Sequence, residues 1–200
     1  MTIFAIDTSA DLASIAIRRS GSTLSEVTLP TQEGHGHIIF PAIQNMLLVT
    51  GVALQQVDCF AAAHGPGSFT GVRVGLAIAK GLAETCGKPA VGVSTLRALA
   101  SFGSKPLRSP MLDARRGEVY AAIYDDKLRL LDSEAATALK RWTESLGPEI
   151  ELISEMPPNG LAGAIALCAE MDGPDLWVDP AGLDAQYIRR DDANSFWREP

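Results

Sequence analysis

HGPGSFTGVRVG, residues 64–75, joins a short apolar run, Cys59 to Ala63, to an apolar helical stretch from about Gly71 to Thr85. A strand that enters a helix through glycines is the signature of an α/β layer. Such a turn exposes backbone N–H groups at the positive end of the helix dipole, where an anion can sit. The glycines at Gly65, Gly67 and Gly71 read G-x-G-x-x-x-G, which is not the dinucleotide spacing, and no Lys-Ser or Lys-Thr follows as in a P-loop. Ser68 and Thr70 can each cap the helix or contact a phosphate. Two readings therefore stand, a capped structural turn and a phosphate cradle.

The helix after the turn carries only Arg73, Lys80 and Glu84 as charges, on one narrow stripe. Gly71, Gly75, Ala79 and Ala83 recur every four residues, which permits close approach of another helix. A helix this apolar is buried, either inside its own domain or against another chain. The earlier helical stretch, Ile38 to Val49, is similar, with only Gln44 and Asn45 polar.

Outward from this centre, Ile3–Asp7, Ala13–Arg18 and Thr23–Leu29 read as strands linked by tight turns, and Ala90–Val93 as a fifth strand. Ser94 caps a further helix to about Phe102. The second half repeats the order: strands at Ser109–Asp113, Val119–Tyr124 and Leu128–Leu131, a helix over Glu134–Leu146, a strand at Ile150–Ser154, and a helix over Leu161–Met171. Two copies of strand-strand-strand-helix-strand-helix predict an α/β protein of two mixed-sheet lobes, 1–104 and 105–190, with a tail at 191–200.

The chain has 200 residues, 46% hydrophobic and 20% charged, the balance of an ordinary globular protein. No run reaches the ~18 apolar residues of a membrane span, and the start lacks the pattern of a signal peptide, so a cytoplasmic setting is expected. Cys59, Cys86 and Cys168 are widely spaced and read as buried free thiols. A net charge of −7 argues against a chain that grips RNA unaided, because phosphate neutralisation supplies most of such affinity. Basic pairs stand at Arg18–Arg19, Arg115–Arg116 and Arg189–Arg190, and isolated pairs are ordinary surface features.

No catalytic constellation emerges. Ser68 lies in G-P-G-S-F, not G-x-S-x-G, and His35, His37 and His64 lack zinc spacing. Asp7 and Asp113 both end the first strand of a lobe. They are either solvated turn acids or a pair facing one cleft that holds a magnesium–phosphate group. Asp7, Thr8, Ser9, Gly65, Gly67, Ser68 and Asp113 are thus the candidate phosphate or nucleotide contacts.

The segments IFAIDTSADLASIAI, HGPGSFTGVRVGLAIAKGL, VGVSTLRALA, LDARRGEVYAAIY and QYIRR resemble, in order and spacing, the TsaB (YeaZ) family. The resemblance implies an actin-like, ribonuclease-H-type fold of two lobes, shared with sugar kinases and the paralogue TsaD. It implies a non-catalytic role in forming threonylcarbamoyladenosine on tRNA, beside TsaD and the ATPase TsaE. It also implies homodimers when the partner is absent, with ATP or ADP and Mg bound only within the complex and tRNA contacted indirectly. Pairing would run through the helices near 37–50 and 70–85, placing Ile39, Ile43 and Met46 of the first at the interface. Thr70, Gly71, Val74, Gly75, Ile78, Ala79 and Leu82 of the second would join them. The chain departs from actin-like enzymes at Asp7-Thr8-Ser9-Ala10-Asp11, where an acid closely followed by Gly-Thr is usual. It also lacks an adenosine-binding Gly-Gly, with only Gly160 and Gly163 in a similar place. A glycopeptidase and an ATP-binding phosphotransferase are the alternatives that the superfamily suggests.

Overall fold

The computed structural model describes residues 1–30 and 36–189. His35, the side chain of His37, Arg190 and the expected tail lie outside the described residues.

Strands β1 (Thr2–Asp7), β2 (Leu12–Arg19) and β3 (Ser22–Pro30) form an antiparallel meander. Ser20 and Gly21 turn the second hairpin with φ of 49° and 85°, the left-handed pair that a two-residue type I′ turn requires. β4 (Cys59–Gly65) and β5 (Ala90–Ser94) add in parallel, giving the order β3-β2-β1-β4-β5. β1 lies at the centre and every one of its residues is buried. Its alternation separates two cores. Phe4 and Ile6 join Ile15, Ile17 and Phe60 beneath helices α1 (Gly36–Thr50) and α2 (Phe69–Cys86), while Ile3 and Ala5 face the opposite layer.

Helix α3 (Thr95–Ala100), capped by Ser94, leads to the second sheet. That sheet comprises β6 (Leu107–Asp113), β7 (Glu118–Ala121), β8 (Tyr124–Asp125), β9 (Ala135–Ala138) and β10 (Ile150–Ile153), with α4 (Leu139–Ser145) between the last two. Its order β9-β7-β6-β10 repeats β3-β2-β1-β4, antiparallel on one side of the first strand and parallel on the other. The duplication expected from the sequence is therefore a duplication of topology. Helix α5 (Ala162–Asp172) then returns to cover β1, β2, β4 and β5 of the first sheet.

Three expected elements differ, the first being Val119–Tyr124, which divides into β7 and β8. Leu128–Leu131 is not the third strand: Leu128 takes φ 58° in a turn whose amides at Lys127 and Arg129 donate to Asp125 Oδ1. The third strand is β9, inside the stretch read as a helix, because Ala135–Ala138 pairs along β7 and that pairing overrides the helical preference of alanine. The cysteines are free thiols, with Cys59 and Cys168 buried and pushed up to about 12 and about 11 by desolvation. No described helix is long and apolar enough to cross a membrane.

Candidate functional site

The end of β1 seats directly on the start of α2. Thr8 Oγ1 donates to the Gly71 carbonyl at 2.6 Å, and the Ser68 amide donates to the Ser9 carbonyl at 2.7 Å. Ser68 is the N-cap, its Oγ accepting from the Gly71 amide at 3.3 Å, and Gly87 closes the helix at φ 60°. A Cβ at Gly71 would stand 1.9 Å from the Thr8 carbonyl oxygen, and one at Gly75 would stand 2.6 Å from Thr8 Oγ1. A Cβ at Gly67 would meet the Ser9 carbonyl oxygen at 2.7 Å. The glycines thus exist so that two stretches of the same chain can touch.

This geometry corrects the expected partner surface. Gly71, Gly75 and Ala79 lie on the buried side of α2, and Ile39, Ile43 and Met46 on the buried side of α1, all spent within the chain. Thr70 is exposed, and Val74, Ile78 and Leu82 are half-buried. The open side of α1 carries residues that sequence reasoning did not single out: Phe40, 51% exposed, Leu48, 80%, and Val49, 72%. Phe40 also borders a groove of ≈ 330 Å³ with Ala77, Ile78, Gly81, Leu82 and Thr85 of α2. The signal was present in the heptad positions. Ile39, Ile43 and Met46 mark one face, and Leu48 and Val49 fall off it.

The two strand-end acids are not presented alike. Asp113 is largely exposed and accepts from the Arg115 amide, whereas Asp7 is fully buried. Asp7 Oδ1 accepts from the Ser9 amide at 2.8 Å, while Asp7 Oδ2 and Ser9 Oγ have no partner among the described residues. Burial raises the Asp7 pKa above 3.8, against the lowering effect of the bond from the Ser9 amide. The folded state then holds the Asp7 proton more tightly than the unfolded one. This term contributes fully at acid pH and is lost as pH rises through the folded value. Asp7→Asn is expected to raise stability at neutral pH, because the neutral amide removes the desolvation cost of the buried carboxylate while its oxygen can keep the bond from the Ser9 amide. Urea denaturation across pH checks this: the variant's curve is flatter than the wild type's, and an unchanged slope would refute the account.

The N-terminus of α5, the second place where an anion would be held, is filled by the chain itself. Ser14 Oγ accepts from the Leu161 and Ala162 amides at 3.2 and 3.0 Å. Glu26 Oε1 accepts from the Gly163 amide at 2.7 Å. A Cβ on Gly160 would lie 2.5 Å from Ser14 Oγ, and one on Gly163 would lie 2.8 Å from Glu26 Oε2. Burial raises the Glu26 pKa, and the Gly163 amide partly offsets it. A phosphate would have to displace a carboxylate already bonded there. These residues do not fit a nucleotide held at α5.

His64 and Ser68 do not form a catalytic pair. Ser68 is engaged as a cap, and His64 packs on Gly92 with its pKa lowered to about 4 by burial, so the imidazole is neutral. Among the described residues no group of three His, Cys, Asp or Glu side chains is placed to hold a metal ion. A polar pocket of ≈ 450 Å³ adjoins His64, and within it the Ser94 and Tyr124 hydroxyls both donate to Glu134 Oε1. Sequence reasoning missed this cluster because Glu134 sat in an expected helix.

The segments beginning at His64, Leu112 and Gln186 meet in space. The Gln186 amide donates to the His64 carbonyl at 2.8 Å, and Tyr187 packs on Phe69 with ring centroids 5.8 Å apart. Arg189 donates to the Ala114 carbonyl and pairs with Glu118.

Residues 23–173 match the family model described as "TsaD: tRNA N6-adenosine threonylcarbamoyltransferase". Among curated proteins, the chain is 38% identical over 151 residues to the tRNA threonylcarbamoyladenosine biosynthesis protein TsaB of Bacillus subtilis, covering 73% of this chain and 66% of that protein. The Escherichia coli protein of the same description is 39% identical over 128 residues, 62% of this chain and 55% of the relative. The match thus spans just under two thirds of the first relative's length and little more than half of the second's. A crystal structure from Pseudomonas aeruginosa, described as an uncharacterised protein similar to the peptidase YeaZ, superposes with a TM-score of 0.80 at 27% identity. That superposition covers 94% of this chain and 99% of the other. Sequence and superposition lead to one place, and the chain belongs to the TsaB (YeaZ) family.

Proposed function

We propose that the chain is the non-catalytic, assembly-supporting subunit of a complex that forms N6-threonylcarbamoyladenosine on tRNA. Its partner is a TsaD-like catalytic subunit, with a TsaE-like ATPase as the third component. The observation that carries the reading is the open side of α1, where Leu48 and Val49 are exposed, together with the apolar groove that Phe40 forms with α2. Leu48 and Val49 are adjacent and the most exposed of the large hydrophobic residues described, which supports an interaction surface at this end of α1. In the absence of the partner the same surface supports a homodimer. ATP or ADP with Mg binds at the junction of subunits, since α5 here already uses its N–H groups. The acidic chain leaves most of the tRNA contact to the partner.

The alternatives draw less from the geometry. A glycopeptidase reading would need a nucleophile, and Ser68 Oγ is a helix cap beside a neutral His64. A phosphotransferase would need the phosphate cradle that Glu26 and Ser14 fill. Depletion of the protein, with mass-spectrometric analysis of tRNA nucleosides, tests the proposal. The expected result is loss of threonylcarbamoyladenosine together with copurification of the catalytic paralogue. Unchanged modification and no complex would overturn it.

A further inference from the structure

Residues 186–189 tie the start of α2 to the β6–β7 hairpin, with cations at both ends of the tie. The Arg73 guanidinium lies 3.5 Å from the centroid of Phe69 and 5.5 Å from that of Tyr187. The Arg189 guanidinium lies 5.8 Å from the ring of Tyr120. In the hairpin, Arg115 and Arg116 are consecutive, exposed and left-handed, with φ of 67° and 57°. A left-handed conformation costs a non-glycine residue roughly 1–2 kcal/mol, so two in succession are retained against a local penalty. The turn is closed by the Glu118 amide on the Arg115 carbonyl and the Ala114 amide on the Glu118 carbonyl. Both guanidinium groups are thereby carried outward from a fixed base.

Four arginines thus stand in a chain whose net charge is −7, and among the described residues the carboxylates paired with them are Asp113 and Glu118. Asp113 is a distant, exposed partner of Arg115 at 3.9 Å, a pairing of little energetic weight. The four residues 186–189 span at most ~14 Å, the scale of a few backbone phosphates. We infer that this surface, carrying Arg73 beside the Phe69 and Tyr187 rings and Arg115 and Arg116 on the hairpin that Arg189 joins to them, contacts the phosphate backbone of RNA. Under the proposed function that RNA is the tRNA undergoing modification. Arg73 is exposed and its guanidinium caps the Phe69 ring, and an unpaired base stacks on such a plane whereas a carboxylate meets only its edge, which favours RNA over an acidic protein. The contact is local and adds to the larger one expected of the catalytic partner.

The experiment measures binding of fluorescently labelled unmodified tRNA to the chain assembled with its catalytic partner. Arg115→Gln/Arg116→Gln, in an exposed turn, and Arg73→Gln are compared with wild type over a range of salt. The double variant is expected to weaken binding about 10-fold at moderate salt. It is expected to reduce the slope of log K against log salt by about 1 to 2, with the thermal midpoint and copurification unchanged. Unchanged affinity and slope would overturn the contact. So would loss of copurification in the double variant, which would assign the surface to a protein. Relief of tRNA binding by low-millimolar inorganic phosphate, at constant ionic strength, would assign a free-anion site instead and also overturn it. Nucleoside analysis after depletion reads the proposed function separately, so RNA binding lost in the variants with modification unaffected by depletion would keep this contact and sink that function.

Discussion

Gly71→Ala is expected to destabilise the protein by about 3 kcal/mol or more, the upper range of core overpacking. The added Cβ would lie 1.9 Å from the Thr8 carbonyl oxygen, a backbone atom that cannot rotate away. Relief requires separating β1 from α2, and that breaks the Thr8–Gly71 and Ser68–Ser9 hydrogen bonds together. Gly75→Leu is expected to be severe but less so for its first atom, because the obstructing group is Thr8 Oγ1, a side chain. Moving that hydroxyl forfeits its bond to the Gly71 carbonyl, and the rest of the leucine still has to enter a packed layer. Urea denaturation and light scattering together decide the matter. Lower midpoints with an unchanged oligomeric state in the folded fraction are expected for both variants. Native stability with lost assembly would return this stripe to a partner interface.

That outcome turns on what the sequence could and could not express. The small-residue stripe correctly announced close approach, but period alone does not say whether the neighbour is another helix, another chain or the end of a strand. Here it is Thr8-Ser9, sixty-odd positions away in sequence, brought near because β4 adds in parallel beside β1. The duplicated order of elements was legible because each lobe repeats the same punctuation. The third strand of the second lobe was not, since AATA reads as helix until β7 offers it an edge. The site residues divide in the same way. Ser68 announced itself as a cap by its place before an apolar run. The burial of Asp7 could not be read from a strand-end acid, nor could the use of Glu26 to fill the start of α5, because both depend on contacts across the fold.

The prediction with the largest functional effect concerns Leu48. At 80% exposure, Leu48→Asp removes little packing from the monomer, and its destabilisation is expected to be about 1 kcal/mol, from an acid in the last turn of α1. At an interface the same change is costly twice. Burying a leucine side chain contributes about 1.5–3 kcal/mol, and an aspartate left there has to be dehydrated without a partner. The two effects together predict a rise of about 100-fold or more in the Kd for the catalytic subunit, with threonylcarbamoyladenosine falling in cells that carry only the variant. Leu131→Asp supplies the control, an apolar-to-acid change at a residue 53% exposed on the second lobe, and it is expected to leave assembly unchanged. Titration calorimetry against the catalytic subunit, read beside the melting curves, separates the cases. If Leu48→Asp binds as wild type does, the open side of α1 is not the pairing surface, and the Phe40 groove on α2 becomes the next place to probe by Gly81→Glu. Loss of binding by both Leu48→Asp and Leu131→Asp would instead point to nonspecific adhesion of exposed leucines, and the face-specific reading would fall.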